Sequence, residues 1–423
     1  MSLTQETLAP SSTAVSHIRE QLQKRGLSGY LATTPSNIQY VTGFRSYFVS
    51  EWWRFHGTVL AYVPADASER VVLIVGDFEA ETARKSAPDV DIITYRLWVD
   101  LSTASEMKKP ADPAAVVRPE QWDPDELDRA VHTCLQANNV VGSELGTDLP
   151  YLTYDTWQRL QRSAPRASWV DFSTDMYDIR LIKQEWEIDH LRTAVQLSER
   201  GMIAAMSTAR EGMTAQDIRC AYQAGVAQAA LGSPQFAGYT DNWVLPTIGG
   251  STSASYGTAE GGLQDGDLVK FDCGTTVHGY RSDGGRTFAF GAPSQEAVSL
   301  YKVLQEAQSI ARDALVPGAL LSDAYTRSMA FVHDAGYPAY NRGHVGHSVG
   351  IDSFHEEPPF IGPHSDATVR EGMVLAIEVP TYTPDVGAIM IEDLVAVRAD
   401  GAEVLHTMAH ELTFVDPETG SVL

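Results

Sequence analysis

The sequence predicts two domains of different class: an α/β domain over residues 12–172 and an α+β domain over residues 178–423. Three observations carry this. The chain has 423 residues, more than a single hydrophobic core usually serves. Its first part alternates short β-branched runs with helical patterns, as α/β domains do. Its second part opens on a long amphipathic helix, then reads as helix pairs with antiparallel hairpins between them.

From Ser12, the text SSTAVSHIREQLQKRG has the cap and period of a helix that stops at Gly26. GYLATTPSNIQYVTGF follows as a strand and a Pro-Ser-Asn turn. TVLAYVP, RVVLIVG and NNVVGSEL read as further strands, and YLTYDTWQRLQRSAP as a short helix. SYFVSEWWRFHG crowds Trp52, Trp53, Arg54 and His56 together, the make-up of a core or an interface. The boundary is expected between Asp171 and Arg180. Beyond it, Ile188, Leu191, Val195 and Met202 line one face of a long helix. Thr214, with Asp217 three residues on, opens the next helix with a capping-box pattern. Two more helices are expected around Ser294–Ala314 and Ser322–Ala335.

Bulk properties narrow the function. Fifty-five acids against 31 bases give a net charge of −24, which argues against nucleic acid or anionic membrane as a partner. No apolar run reaches the roughly 18 residues that a membrane helix needs. MSLTQETLAPSSTAV has neither a basic start nor an apolar stretch, so no secretory signal is expected. The three cysteines, Cys134, Cys220 and Cys273, are unclustered. They make neither a disulfide framework nor a thiolate zinc site, and a reducing cytoplasm is the expected location.

The chemistry is concentrated in FDCGTTVHGYRSDGGRTF and VLAIEVPTYTPDVGAIMIEDLVAV. Each reads as a hairpin with an acid pair across it. In the first, Gly274 to Gly279 reads as the turn; centred on Val277 and His278, it sets Asp272 opposite Asp283. In the second, a turn centred on Asp385 sets Glu378 opposite Glu392. Like charges facing across a ladder destabilise it, and the flanks LVKFD and LAIEV are apolar, so these acids are expected to be buried. Buried unpaired carboxylates are expensive; four together require positive charge. Between the hairpins, NRGHVGHSVGIDSFHEEPPF adds His344, His347 and His355. Carboxylates with an imidazole suit two divalent cations such as Mn²⁺, Co²⁺, Fe²⁺ or Zn²⁺. Two metals roughly 3.5–4 Å apart can bridge a hydroxide and polarise a carbonyl. Arg286 is expected to pair with one of the ligand carboxylates.

These motifs, in this order, resemble the pita-bread metallohydrolases: methionine aminopeptidase, aminopeptidase P, prolidase and creatinase. DCG, GYRSDGGRTF, GHSVG, FHEEP, AIEVP and MIEDLV carry the resemblance, from about Asp178 to Val415. TPSNIQYVTGF is similar to the creatinase/prolidase N-terminal domain. The resemblance implies a creatinase/prolidase-type α/β domain followed by an α+β pita-bread catalytic domain. It implies five metal ligands: Asp272, Asp283, His347, Glu378 and Glu392. It casts Asp283 and Glu392 as bridging carboxylates, Glu378 also as proton acceptor, and His355 as a donor to the tetrahedral intermediate. It places Asp241, Trp243, Ser255, Tyr256 and Met390 around the substrate. It implies an Xaa-Pro dipeptidase or aminopeptidase acting on a small peptide, and a homodimer.

Three departures qualify that substrate. Ser255 and Tyr256 stand where the family's peptidases carry a histidine, and Met390 where they carry an arginine. The interval from His347 to His355 is one residue longer than the commonest pattern. The alternatives are a non-peptide amidohydrolase of the creatinase or ectoine-hydrolase kind and a lyase on the same fold. Gly274, where such lyases carry an acid, counts against the last.

Overall fold

A computed structural model describes residues 12–110, 116–249, 262–352 and 356–422. Ser255, Tyr256 and His355 lie outside the described residues, as does the side chain of Trp53. The chain divides into two compact units, Met1–Ile179 and Arg180–Leu423.

The first unit is built on a six-stranded mixed sheet. Its central strand Gly29–Ala32 runs antiparallel to Leu60–Pro64 and parallel to Glu144–Thr147. Leu60–Pro64 and Val72–Gly76 are buried along their whole length, as their unbroken apolar text requires. PSNIQYVT is a helix, Pro35–Thr42, and not the turn expected from its Pro-Ser-Asn start. Thr34 caps it by accepting from the Asn37 amide, and Pro35 stands in the first turn, where a missing N–H costs nothing. The aromatic text near Trp52 packs as a cluster: Phe48 and Phe55 are buried, and Trp52 stands at the surface against Trp98.

The second unit contains two helix pairs, each on its own sheets. Helices Glu185–Ser207 and Ala215–Ala230 pack together over strands Leu268–Lys270, Cys273–Val277 and Thr287–Phe290. Ile188, Leu191, Val195 and Met202 are fully buried, and Thr214 and Asp217 cap the second helix reciprocally. Helices Gln295–Asp313 and Leu321–Asp334 pack over Val374–Glu378 and Glu392–Arg398. Each fully buried Leu, Ile or Phe in these cores contributes roughly 1.5–3 kcal/mol.

The two acid-bearing hairpins differ from each other in register. In the second, Glu378 pairs with Glu392 directly across the ladder. In the first, Cys273–Val277 is a strand and only His278 and Gly279 turn. Both take positive φ, 51° and 85°, the geometry of a two-residue turn whose twist matches that of its strands. Val277 therefore faces Tyr280 and Cys273 faces Gly284, so Asp272 and Asp283 are diagonal neighbours and not opposite each other. The two-residue shift preserves parity, and both aspartates still share a face. Cys273 points the other way, into the core.

Candidate metal centre

One bridge brings the hairpins together. Gly285 and Glu392 exchange backbone hydrogen bonds of 3.2 and 3.0 Å, which sets Asp283 beside Glu392. Gly285 leaves no room for a side chain: a Cβ there would lie 2.8 Å from the Phe271 carbonyl oxygen as well as 2.4 Å from the Met390 sulfur. Strand Gly346–Ser348 pairs with Val374–Glu378 and carries His347 to the same place. Asp283, His347 and Glu392 are all buried, and each offers a ligand atom within 4.8 Å of the other two. The His347 Nδ1 lies 3.1 Å from the Ser348 carbonyl oxygen, which can only accept. Nδ1 therefore carries the proton, and Nε2 presents its lone pair 3.7 Å from Asp283 Oδ2.

The electrostatics of this cluster call for a cation. Burial pushes the Asp283 carboxyl well above its ordinary range, and Asp272 and Glu378 push it further. Burial likewise raises Glu392, reinforced by Asp283, Glu378 and Asp272. Asp283 Oδ1 is buried and has no hydrogen-bond partner among the described residues. Carboxylates of raised proton affinity beside an imidazole lone pair are donors that fit a divalent ion of borderline hardness.

Glu378 and Asp272 are held differently. Glu378 Oε1 accepts from Arg342 at 2.8 Å, and His344 Nδ1 lies 3.6 Å away. Asp272 Oδ2 is paired with the Lys270 ammonium at 3.2 Å. Lys270 also reaches the Tyr382 hydroxyl at 3.4 Å and lies over that ring. Burial disfavours its charge, but Asp272 and Tyr382 prevail and lift its pKa above the ordinary value. Sequence reasoning missed both cations. Lys270 is hidden within the apolar text LVKFD, and Arg342 stands five residues before His347.

Arg286 is fully buried but pairs with Asp393, at 2.6 Å, and not with a residue of the expected ligand set. It also donates to the Glu392 carbonyl at 2.8 Å, so it pins the strand that carries Glu392. Gln308 and His410 complete the Asp393 shell at 2.9 and 2.8 Å. Burial opposes the Asp393 charge; Arg286, with His410 and His406, overrides it and holds the carboxyl far below its usual range.

Of the expected pocket residues, Asp241 and Trp243 lie on strand Tyr239–Val244, opposite Thr276 and Gly274. The Trp243 indole lies against Gly274, where a Cβ would be 2.6 Å from Nε1 and 1.9 Å from the Ser282 carbonyl oxygen. Met390 is buried, its sulfur against Gly285 and its backbone hydrogen-bonded to Thr287.

Comparison with known proteins agrees with this architecture. A family model for the creatinase/prolidase N-terminal domain matches residues 15–182, and one for metallopeptidase family M24 matches residues 189–399. An uncharacterized peptidase from Staphylococcus epidermidis is 26% identical, over 93% of this chain and 98% of its own. The fold is that of an Xaa-Pro dipeptidase from Bacillus anthracis, with a TM-score of 0.76 at 21% identity over 95% of this chain and 99% of that one. A prolidase from Pyrococcus horikoshii superposes with a TM-score of 0.74 at 22% identity, covering 94% and 99% of the two chains. Among the described residues no helix is long and apolar enough to cross a membrane. The chain belongs to metallopeptidase family M24, with a creatinase/prolidase N-terminal domain preceding its pita-bread catalytic domain.

Proposed function

We propose that this protein is an Xaa-Pro dipeptidase or aminopeptidase that hydrolyses the C–N bond of a small peptide with two divalent metal ions. The observation that carries the reading is the buried convergence of Asp283, His347 and Glu392, with both carboxyls raised and one Asp283 oxygen without a partner among the described residues. Asp272 and Glu378 complete the proposed ligand set. When bound, the metal would supply Lewis acidity to an attacking water and to the scissile carbonyl.

The rest is the work of the protein's own groups. Glu378 is the proposed proton acceptor from that water, and Arg342, donating to its Oε1 at 2.8 Å, fixes its orientation. His347 is held in one tautomer by the Ser348 carbonyl oxygen. Arg286 and Asp393 keep the Glu392 strand in place. His355 is the proposed hydrogen-bond donor to substrate, with Asp241, Trp243, Ser255, Tyr256 and Met390 around it. A homodimer in the cytoplasm completes the proposal.

A second reading, hydrolysis of a non-peptide amide or amidine, is favoured by Met390. Its thioether is packed against Gly285 and offers no charge where related peptidases carry an arginine. One experiment separates the two. Metal per chain is measured in protein purified without chelator, and activity is assayed on Xaa-Pro dipeptides, a Pro-second tripeptide, creatine and ectoine. Xaa-Pro cleavage abolished by chelation is the expected result. Metal binding with turnover of creatine or ectoine alone would establish the second reading.

A further inference from the structure

The face of the first hairpin that carries Asp283 also carries an arginine. Cys273 faces Gly284 and Thr276 faces Arg281, so Asp283 stands opposite Gly274. Arg281, two residues before it, shares its face, about 7 Å along the strand. On the neighbouring strand Trp243 lies opposite Gly274 and Asp241 opposite Thr276. The Arg281 guanidinium lies over the Trp243 ring, 5.4 Å from its centroid, and 3.7 Å from Asp241. The Arg281 amide donates to the Gly350 carbonyl oxygen at 2.9 Å, three residues past His347. Its charge is felt at the centre: burial, Asp272 and Glu378 raise the Asp283 carboxyl, and Arg281 opposes them.

Other cations around the centre hold the chain's own acids. Lys270 meets Asp272 at 3.2 Å, Arg342 meets Glu378 at 2.8 Å, and Arg286 meets Asp393 at 2.6 Å. Arg281 meets Asp241 at 3.7 Å, beyond hydrogen-bond length, and the Asp241 side chain is 57% exposed. A pair of that kind contributes little to stability, whereas a guanidinium fork beside a reaction centre is shaped for a carboxylate. We propose that Arg281 is a specificity residue, which binds the free carboxylate of an α-amino-acid leaving group such as proline or sarcosine. The inference rests on the hydrolase reading of the site. In an Xaa-Pro dipeptide the scissile carbonyl carbon is followed by nitrogen, α-carbon and carboxylate, so the carboxylate lies within one residue length, about 3.8 Å. Creatine has the same order of atoms, from its amidino carbon through nitrogen and methylene to carboxylate. Each further residue of a peptide would carry the carboxylate about 3.8 Å farther away. Arg281 therefore selects substrates that end one residue past the scissile bond, which makes the enzyme a dipeptidase and not an aminopeptidase.

The test compares carboxylates with their amides. Mn²⁺-loaded protein is assayed on Gly-Pro, Gly-Pro amide, Gly-Pro-Gly and creatine, and the binding of proline and of prolinamide is measured by calorimetry. The wild type should favour Gly-Pro over its amide and over the tripeptide at least tenfold in kcat/KM, about 1.4 kcal/mol. Arg281→Met should abolish that preference, chiefly by raising KM for Gly-Pro. Arg281→Lys, which keeps the charge and loses the fork, should retain part of it, and it carries the test where Arg281→Met does not fold. Proline should bind the wild type at least tenfold more tightly than prolinamide, and Arg281→Met should remove the difference. Turnover of creatine in place of Gly-Pro, with the same sensitivity to Arg281→Met, would assign the carboxylate to an amidine substrate.

A wild type that does not distinguish carboxylate from amide would overturn the inference, as would a preference that neither Arg281→Met nor Arg281→Lys moves. Cleavage of neither Gly-Pro nor creatine, with tight proline binding still lost in Arg281→Met, would instead overturn the hydrolase reading and leave the carboxylate site standing.

Discussion

Glu392 and Asp393 are consecutive, both buried, and opposite in electrostatic character. Asp393 faces Arg286, Gln308 and His410, and its carboxyl is held far below its ordinary range. Glu392 faces Asp283, Glu378 and Asp272, and its carboxyl is pushed far above. A strand turns successive side chains to opposite faces, so one residue step separates an acid whose charge the fold has neutralised from one whose charge it has not. The neutralised acid reads as structural. The other is an acid that burial and its acidic neighbours push up, with Lys270 opposing them only in part.

The largest expected effect sharpens that contrast. Glu392→Gln or Asp283→Asn should lower kcat/KM about 10³-fold or more, the several kcal/mol that a catalytic metal supplies. The same variants should leave the metal-free protein as stable as wild type, or more so, because each removes an acid that the fold does not neutralise. Parallel measurements of activity, metal content and thermal midpoint check this. A lowered midpoint in metal-free Glu392→Gln would mean that Glu392 is structural after all.

Arg286→Met should do the reverse. It leaves Asp393 buried without its main partner, a change expected to cost about 3–5 kcal/mol. Denaturant unfolding reads it directly. The double variant Arg286→Met/Asp393→Leu should recover part of the loss, because neither charge then remains unpaired. If the single variant unfolds at the wild-type midpoint, Asp393 is not neutralised in the way its contacts imply.

Gln308→Met is a smaller probe of the same shell. It deletes one hydrogen bond to a charged acceptor, expected to cost about 1.5–3 kcal/mol, and should leave bound metal per chain unchanged. Loss of metal in this variant would show that the two faces of the strand are coupled.

Much of this was legible from residue order, and the rest was not, for physical reasons. Helix faces and strands follow from period and cap, and Ile188, Leu191, Val195 and Met202 are buried as their spacing requires. Glu378 and Glu392 face each other as an Asp385-centred turn demands. The first hairpin slipped by two residues because His278 takes the left-handed conformation, which histidine adopts less often than glycine or asparagine. The slip is even, so the shared face survived it. PSNIQYVT read as a turn because proline and serine open turns and helices alike. The partner of Arg286 was beyond reach, since strand order does not say which acid of Glu392 and Asp393 faces a given guanidinium. Lys270 was masked by its apolar neighbours; nothing local distinguishes a snorkelling lysine from one aimed into an acidic centre.

The contrast also predicts opposite responses to pH. Asp393 has a folded-state pKa below its unfolded value of about 3.9. It contributes stability that is present above that value and lost as pH falls through the folded pKa. Asp283 and Glu392 have folded-state values above their unfolded ones. Between the two values the metal-free fold retains protons that the unfolded chain has released. Stability from this pair is therefore greatest below about pH 4 and declines as pH rises, by at most about 1.4 kcal/mol per pH unit for each proton retained. Other groups titrate over the same range, so the quantity to follow is the unfolding free energy of metal-free wild type minus that of Glu392→Gln. It should fall from pH 4.5 to pH 7, and saturating Mn²⁺ should abolish the fall, because bound metal makes the ionised carboxylates the favoured form. A difference that rises over that interval would place Glu392 in the same class as Asp393, with its charge already met by the fold.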